Sequence, residues 1–552
     1  MAAALRAVSA APRLGLAFLA ALVVAVPMAW AAVAAIVAGL DGDAWRGLVA
    51  DPQLPRALAL SLLTGLGATA LSLALAAWLL SHAFAGRHWP TLTRLLAPML
   101  AVPHAAFAIG LAFLLAPSGW ILRALSPWAT GFDAPPPWST TQDPWGLALI
   151  AALVGKEVPF LLWAAATQLQ RADAGARWRR ELQVARTMGY GSQAAWWRVV
   201  WPQLWPRLHA PLIAVLAYSL TVVDMALVIG PAAPPTAGVL AWQWLLDADA
   251  GINARGAALA WLLAFMVGAA AAGMSLLRGR LHWRNRWVRG QRGRDTSASA
   301  AWWPLLALSA VYAPVLLATA VGSFSGVWPF PLLWPASWSL EGWRSVAASS
   351  RTLLTTAGLA LASSACALAW ALLWLESAPP AWHDRLRRLV YLPLVLPSVL
   401  WVIGLHRLAL AWDVDSRWAG LWLAHTLAAL PYVLIALSPA YLGFDDRHAH
   451  IAASLGRSRL AFLVRIKWPL LRASLWGALA VGFAVSIAQY LPTLFIGGGR
   501  FATVTTEAVG LAAGGQRSVL AAFAWLQWLL PALFFALAAW AGAPRRFARA
   551  AS

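Results

Sequence analysis

Cysteine is nearly absent from this 552-residue chain: Cys366 is the only one. An intramolecular disulfide is therefore impossible, and a cysteine-based metal site is excluded. Charged residues are also scarce, at 11% of the chain, whereas 61% of the residues are hydrophobic. Soluble domains contain roughly 45–50% apolar residues, so the composition predicts an all-α integral membrane protein.

Sequence motifs for catalysis are missing as well. No G-x-x-x-x-G-K-[ST] phosphate loop occurs; the one Gly-Lys pair, Gly155-Lys156, lies inside an apolar run and continues into Glu157. Without backbone donors and a hydroxyl for magnesium, the chain is not expected to hydrolyse ATP. Metal-site motifs, nucleophile elbows and convergent carboxylate pairs are also missing, so we predict no catalytic residue, no metal and no cofactor.

Long apolar runs are abundant. Twelve runs reach the ~20 residues that cross a bilayer core, six on each side of a basic linker at 278–301. They are Leu14–Leu40, Ala57–Leu80, Leu95–Ala116, Trp145–Gln168, Leu208–Gly230, Ala257–Leu277, Trp302–Ser323, Leu353–Leu375, Leu389–Trp412, Trp418–Leu442, Ser474–Gly497 and Val519–Trp540. The sequence therefore predicts two transmembrane domains, 1–277 and 302–552.

Two polar segments repeat at one register, 267 residues apart. The first reads QVARTMGYGSQAAWWRVVWP from Gln183, and the second reads HIAASLGRSRLAFLVRIKWP from His450. Each has an alanine four residues before a glycine and a Trp-Pro pair that ends thirteen residues after it. The residues concerned are Ala185, Gly189 and Pro202 in the first segment and Ala452, Gly456 and Pro469 in the second.

The repetition extends into the apolar runs. Pro103 to Gly110 (PHAAFAIG) recurs as Pro397 to Gly404 (PSVLWVIG), Pro159 matches Pro431, and Thr236 matches Thr503. The offset falls from 294 to 267 because the loop between the third and fourth runs is shorter in the second half. Parallel repeats imply a two-fold axis along the membrane normal.

The repeated segments resemble the EAA loop (E-A-A-x3-G-x9-I-x-L-P) of ABC importer permeases, which inserts into the ATPase subunit. Gln183 and His450 replace its glutamate, and tryptophan replaces its leucine. The 6+6 arrangement is similar to fused thiamine-type and iron(III)-type permeases. The resemblance implies docking loops at 170–207 and 443–472, two copies of an ABC ATPase and a periplasmic solute-binding protein.

Charge distribution predicts the orientation. Most of the 41 Lys and Arg residues fall on the side of the docking loops, which the positive-inside rule assigns to the cytoplasm together with both termini and the linker. Arginines on that side can contact anionic lipid headgroups. The expected location is the bacterial inner membrane. Nucleic-acid binding is not expected, because no soluble basic domain is available.

Ionisable residues within the apolar runs are candidates for function, since burying them in lipid is costly. We predict that Glu157, Asp224 and Gln489 line a translocation path for a small-molecule or ion solute that the sequence does not identify. For Lys156 and Arg407, structural pairing between helices or snorkelling toward an interface is as compatible with the sequence as a functional role. His104 and His425 are predicted to be helix-contact residues rather than ligands.

Two further expectations follow. In the repeat register Asp224 matches Leu491 and Gln489 matches Val222, which predicts an asymmetric path. The alternative function is an ion-coupled secondary transporter, which also has twelve spans in two repeats but needs no ATPase and requires a buried carboxylate relay. The repeated docking pattern favours the permease.

Overall fold

The computed structural model describes residues 2–84, 86, 88–170, 172–280 and 302–543. The described residues form helices, joined by loops that contain two isolated β-bridges. Helices suit this composition because a backbone in lipid must satisfy its hydrogen bonds within its own segment. Most of the predicted basic linker, residues 281–301, lies outside the described residues.

The first half contains fourteen α-helices among the described residues. They are α1 (Ala2–Ala38), α2 (Gly42–Val49), α3 (Leu54–Ala83), α4 (Trp89–Ala101), α5 (His104–Leu115), α6 (Trp120–Leu125), α7 (Leu147–Leu169), α8 (Ala172–Thr187), α9 (Ser192–Ala195), α10 (Trp201–Leu204), α11 (His209–Thr221), α12 (Asp224–Ile229), α13 (Ala237–Leu245) and α14 (Ala250–Arg280). A π-helix (Trp196–Val200) and a 3₁₀-helix (Trp205–Leu208) flank α10.

The second half contains thirteen α-helices in the part of the chain that the structure describes. They are α15 (Trp303–Ser323), α16 (Glu341–Ala348), α17 (Ser350–Ser377), α18 (Pro380–Val390), α19 (Ser398–Ala411), α20 (Trp418–Leu442), α21 (Arg447–Ser454), α22 (Arg459–Phe462), α23 (Trp468–Leu470), α24 (Arg472–Ala488), α25 (Leu491–Gly497), α26 (Val504–Ala512) and α27 (Arg517–Gly542). A 3₁₀-helix (Leu392–Leu394) precedes α19, and a π-helix (Leu463–Lys467) precedes α23.

Nine helical stretches of the described chain are long and apolar enough to cross a membrane. All twelve predicted spans coincide with helical structure, but the third, fifth, ninth and eleventh are interrupted. Pro103 and Pro397 lie at two of the breaks, both with ψ near the extended value. Val102, which precedes Pro103, is extended as well, because proline disfavours the α conformation in the residue before it. The other two breaks fall at Val222 and Gln489, which are also extended.

The two halves are built alike. In the first, α3 packs against α7 and α11; in the second, α17 packs against α20 and α24. Equivalent hydrogen bonds hold the next helix in each half: the Ala237 N–H donates to Ser61 Oγ, and the Val504 N–H donates to Thr356 Oγ1, both at 2.9 Å. The 267-residue register that the sequence predicts therefore corresponds to equivalent positions in space.

The halves exchange their first helices. The α1 helix packs against α17 and α19 of the second half, and α15 packs against α5 of the first. Glycine permits both contacts: a Cβ on Gly110 would lie 2.7 Å from Val315 Cγ1, and one on Gly404 would lie 2.1 Å from the Ala31 carbonyl oxygen. The repeated motif that ends in these glycines thus joins the two halves.

Candidate functional site

The first docking loop turns at Gly189. The α8 helix ends in a Schellman motif, in which the Tyr190 N–H donates to the Ala185 carbonyl (3.1 Å) and the Gly189 N–H donates to the Arg186 carbonyl (2.9 Å). Gly189 has a φ of 86°, a conformation that glycine adopts without a Cβ penalty.

The second docking loop has the same turn. The Arg457 N–H donates to the Ala452 carbonyl, and the Gly456 N–H donates to the Ala453 carbonyl, both at 3.0 Å. Gly456 has a φ of 68°. In a Schellman cap the third-last helical residue accepts the hydrogen bond that spans six residues, and the glycine follows it four positions later. The Ala-x3-Gly spacing matches these two positions. Both glycines therefore have the positive φ that such a cap requires.

After the turn both loops follow one course. Gly191 and Ser458, again 267 residues apart, precede the next short helix as its N-caps. Each loop then forms a five-residue π-helix, and Pro202 and Pro469 lie in the first turn of the helix that follows. Proline has no N–H to donate to the carbonyl four residues earlier. The π-helix next to it is also a local departure from α-helical hydrogen bonding, because its hydrogen bonds span five residues instead of four.

The loops present apolar side chains that sequence reasoning did not select. Val184 (59% exposed) on α8 and Met188 (58%) directly after α8 lie one turn apart, and Ile451 (59%) on α21 and Leu455 (72%) directly after α21 occupy the same register. Residues four apart lie on one helix face. A signal was available, because both pairs are apolar at equivalent positions within polar segments. We call these four residues the apolar docking pairs.

The predicted docking residues divide into two groups. Gln183 and His450 are exposed beside the apolar docking pairs. Ala185 and Ala452 are 7% and 2% exposed, so they pack inward and shape the turn. A groove of about 460 Å³ lies beside the first loop; among its lining residues are Val184, Met188, Tyr190 and Val199.

The two loops are anchored differently. In the first, Gln203 Nε2 donates to Glu181 Oε2 (2.8 Å), and Trp178 Nε1 donates to Gln203 Oε1 (3.0 Å). Although burial opposes ionisation of the Glu181 carboxyl, hydrogen bonds from Gln203 and Arg177 keep its pKa below the ordinary value. These contacts join α8 to α10, and Gln193 of the same loop is hydrogen-bonded to His82 in the last turn of α3.

The second loop is anchored to a long helix of the second half. Glu376, in the last turn of α17, accepts hydrogen bonds from Lys467 Nζ (3.0 Å) and the Tyr441 hydroxyl (2.8 Å), and it also pairs with Arg459. The Lys467 ammonium lies 3.8 Å from the centroid of the Tyr441 ring. The 294-residue offset assigns His82 to the position of Glu376 in the first half, so this anchor has no carboxylate counterpart there.

Polar side chains also meet near the middle of the predicted spans. His104 Nε2 lies 3.9 Å from Glu157 Oε1, and the His104 and Tyr218 rings have centroids 4.6 Å apart. The Tyr218 hydroxyl donates to Asp224 Oδ1 at 3.2 Å. Glu157 and Asp224, both predicted from sequence, are therefore brought together through His104 and Tyr218.

The second half adds tyrosines to this group. Tyr432 lies within electrostatic range of Glu157 and Tyr218, and Tyr490 lies within electrostatic range of Asp224. We call His104, Glu157, Tyr218, Asp224, Tyr432 and Tyr490 the mid-span cluster. Sequence reasoning missed its tyrosines, although the chain contains only seven.

Gln489 stands apart from the predicted carboxylates. Its amide donates to the Val485 carbonyl of its own helix at 3.2 Å, and within the described residues it forms no hydrogen bond with Asp224. Gln489 is nevertheless adjacent to Tyr490 of the mid-span cluster, at the break between α24 and α25. The structure thus links Glu157 and Asp224 indirectly, through His104 and Tyr218, whereas Gln489 is only a chain neighbour of Tyr490.

Other ionisable groups in the spans have structural partners. Lys156 Nζ donates to the carbonyls of Met99 (3.0 Å) and Val102 (2.6 Å) at the break between α4 and α5. His425 is buried and hydrogen-bonded to Ser486 Oγ and Thr493 Oγ1, each at 2.9 Å, as predicted for a helix-contact residue. Arg407 is exposed on α19.

Comparisons with known proteins find relatives among ABC transporter permeases. No protein-family model matches the chain. It is 34% identical over 535 residues to the inner membrane ABC transporter permease protein YnjC of Escherichia coli, covering 95% of this chain and 96% of that protein.

More distant similarities include the thiamine transport system permease protein ThiP of Brucella suis, at 28% identity over 30% of this chain and 32% of that protein. The putrescine transport system permease protein PotI of Escherichia coli is 24% identical over 35% of this chain and 73% of that protein. These relationships favour the permease over the ion-coupled alternative. The chain belongs to the permease family of ABC transporters.

Proposed function

We propose that this chain supplies both transmembrane domains of an ATP-driven importer in the bacterial inner membrane, and that each docking loop binds one copy of a separate ATPase. The observation that carries the proposal is the repeated loop geometry. Both turns have a positive-φ glycine, and both present an exposed apolar pair at the same register. Two identical partners require two surfaces of one shape.

The apolar docking pairs are suited to a protein partner. Each pair is bordered by polar groups, including Gln183 in the first loop and His450 in the second. Exposed apolar residues with a polar rim are typical of interaction sites. The groove beside the first loop provides space for a side chain of the ATPase next to Val184 and Met188.

The opposite side of the protein is assigned to a solute-binding protein. Its long loops, Pro117–Pro144, Pro231–Arg255 and Gly326–Arg351, are rich in Trp and Pro. Arg123 joins the first of these loops to the third. Its guanidinium donates to the carbonyls of Trp328, Pro329 and Leu332 within 3.0 Å. This cross-connection produces a semi-rigid recognition surface.

The ATPase assignment is tested by counting subunits. The permease is co-expressed with its ATPase, purified, and weighed by native mass spectrometry. We expect two ATPase copies on the wild type, one on Val184→Asp or Ile451→Asp, and none on the double variant, because a buried unpaired carboxylate is costly at an apolar contact. Val49→Asp, at an exposed position of α2, is the matched control and should retain two copies.

A double variant that still carries two ATPase copies would overturn the assignment of these surfaces. The binding-protein assignment has its own test in proteoliposomes that contain permease, ATPase and ATP. Uptake at the full rate without added binding protein would contradict it.

A further inference from the structure

A cavity of about 560 Å³ lies between the two halves, where the loops Pro117–Pro144 and Gly326–Arg351 meet the start of α27. Five serines line it, and its ionisable lining residues are Arg123, Arg517 and Glu341. Two guanidinium groups therefore share the cavity with one carboxylate. Both loops belong to the side that the predicted orientation assigns to the periplasm, away from the docking loops.

Arg123 is a buried cation whose partners are all neutral. The residue is only 4% exposed. Its guanidinium donates to the carbonyls of Ser118 (2.9 Å), Trp328, Pro329 and Leu332, and it lies 4.8 Å from the centroid of the Trp328 ring. Within the described residues it forms no ion pair with a carboxylate. Its positive charge therefore has no ionic partner in the wall of the cavity.

Arg517 adds a second positive charge at the first residue of α27. Its guanidinium donates to Ser118 Oγ at 2.7 Å. The other donors of this guanidinium form no hydrogen bond, and no carboxylate of the described chain forms an ion pair with it. Glu341, the acidic residue of the cavity, is exposed and pairs with neither arginine. The cavity therefore has a net positive charge and unused guanidinium donors.

The start of α27 supplies further donors to the same cavity. Ser518 is 5% exposed and lines the cavity, and its hydroxyl has no hydrogen-bond partner among the described residues. Gln516 is the N-cap of this 26-residue helix, and its side chain does not cap the first N–H groups. The N-terminus of a helix carries a partial positive charge that attracts anions. Buried hydroxyls normally have a partner, and a bound anion would provide one for Ser518.

We propose that this cavity binds a carboxylate group. Arg517 and Ser518 donate hydrogen bonds to it, and the buried charge of Arg123 favours it. The planar fork of a guanidinium matches the two oxygens of a carboxylate. The first half has no second copy of this site, because the 267-residue register places Ala250 and Gly251 at the start of α14. The inference goes beyond the proposed function, since it assigns an anion site away from the docking loops.

The test uses one reporter thiol in the cavity. Cys366→Ala removes the only cysteine, and Val327→Cys places a thiol at a cavity residue that is 68% exposed. The purified complex with its ATPase is treated with an anionic (sulfonato-ethyl) or a cationic (trimethylammonium-ethyl) methanethiosulfonate of similar size. The readout is the ratio of the two modification rates, divided by the same ratio for free cysteine in solution.

We expect the anionic reagent to be favoured roughly tenfold at Val327→Cys, the effect of one unit charge at roughly 10 Å for an effective dielectric constant of about 20. Arg517→Gln should remove most of this preference, whereas Glu341→Gln should increase it, because the two variants change the charge of the cavity in opposite directions. A purely structural role would not produce opposite shifts. The matched control Arg46→Gln removes an exposed guanidinium of α2 and should leave the ratio unchanged.

Two sources can supply the carboxylate: a free small anion or an acidic side chain of the solute-binding protein. Both are tested by protection of Val327→Cys from the neutral reagent methyl methanethiosulfonate. Protection by potassium succinate, relative to potassium chloride of equal ionic strength, identifies a free anion. Protection by the binding protein alone identifies an acidic side chain, provided that Arg517→Gln abolishes it.

Three results would overturn the proposal: no preference for the anionic reagent, no protection in either arm, or protection that persists in Arg517→Gln. The number of ATPase copies is measured on the same preparations. Retention of two copies without a charge preference would reject the anion site and leave the docking assignment intact.

Discussion

The two halves agree at the docking loops and differ at mid-span. Gly189 and Gly456 turn with the same sign of φ at equivalent positions, whereas Glu157 and Asp224 correspond to Ala429 and Leu491. Surfaces that meet two identical partners must keep one shape. A site that holds one solute lacking two-fold symmetry has no such requirement. The comparison therefore separates the residues that face the proposed ATPase from those that line the predicted translocation path.

The largest effect is expected at the symmetric positions. In the double variant Gly189→Val, Gly456→Val, each turn must place a β-branched residue at positive φ, which costs about 1–3 kcal/mol per site. We expect ATPase co-purification and transport to be lost while membrane insertion is retained.

The matched control for the glycines is Gly268→Val, Gly477→Val. Each of these glycines lies within a helix, one in each half, and a Cβ would meet no neighbouring atom within 4 Å. Wild-type ATPase yield together with normal transport in the Gly189, Gly456 double variant would show that the turns do not determine docking.

The asymmetric positions give the next effect. Asp224→Leu should lower solute uptake in proteoliposomes at least about tenfold, since it leaves the buried Tyr218 hydroxyl without its acceptor, a loss of about 1–3 kcal/mol. Leu491→Asp should not restore uptake in that background, because the 267-residue register puts Val485, which has no hydroxyl, at the position of Tyr218. Co-purification of two ATPase copies confirms assembly. Equal uptake by Asp224→Leu and wild type would make Asp224 a structural contact only.

A third, smaller effect is expected on the stability of the folded permease when Lys156, a buried residue of the first half, is replaced. Lys156→Met leaves the Met99 and Val102 carbonyls without their donor, which we expect to cost about 2–4 kcal/mol and to lower the melting temperature of the purified permease. Arg407→Met removes an exposed charge and serves as the control, with little change expected. Equal melting temperatures for the two variants would show that the α4–α5 break does not depend on Lys156.

The smallest effect concerns the two anchors. Glu376→Gln weakens the contacts of the second loop with Lys467 and Arg459, and we expect cleavage by trypsin at Arg457 or Arg459 to accelerate roughly fivefold, the factor for about 1 kcal/mol. Glu181→Gln should leave that rate unchanged, because Glu181 belongs to the first loop. Acceleration by both variants would indicate general loosening instead of a local anchor.

Sequence alone was sufficient wherever the physics is local or repeats along the chain. The predicted spans coincide with helices because apolar runs in lipid must form their own hydrogen bonds. The turns at Gly189 and Gly456 are also local, because a Schellman cap is complete within six residues and needs only a residue that takes positive φ. The apolar docking pairs could have been found in the same way, by asking which apolar residues recur at one register.

Tertiary structure alone decided what depends on distant contacts. The mid-span cluster joins His104, Glu157 and Asp224 to Tyr432 and Tyr490 of the other half, and no spacing within one segment encodes that meeting. Lys156 acquired its role because α4 and α5 break beside it. The exchange of first helices likewise depends on how closely backbones approach at Gly110 and Gly404, a property of packing between helices that a linear pattern does not contain.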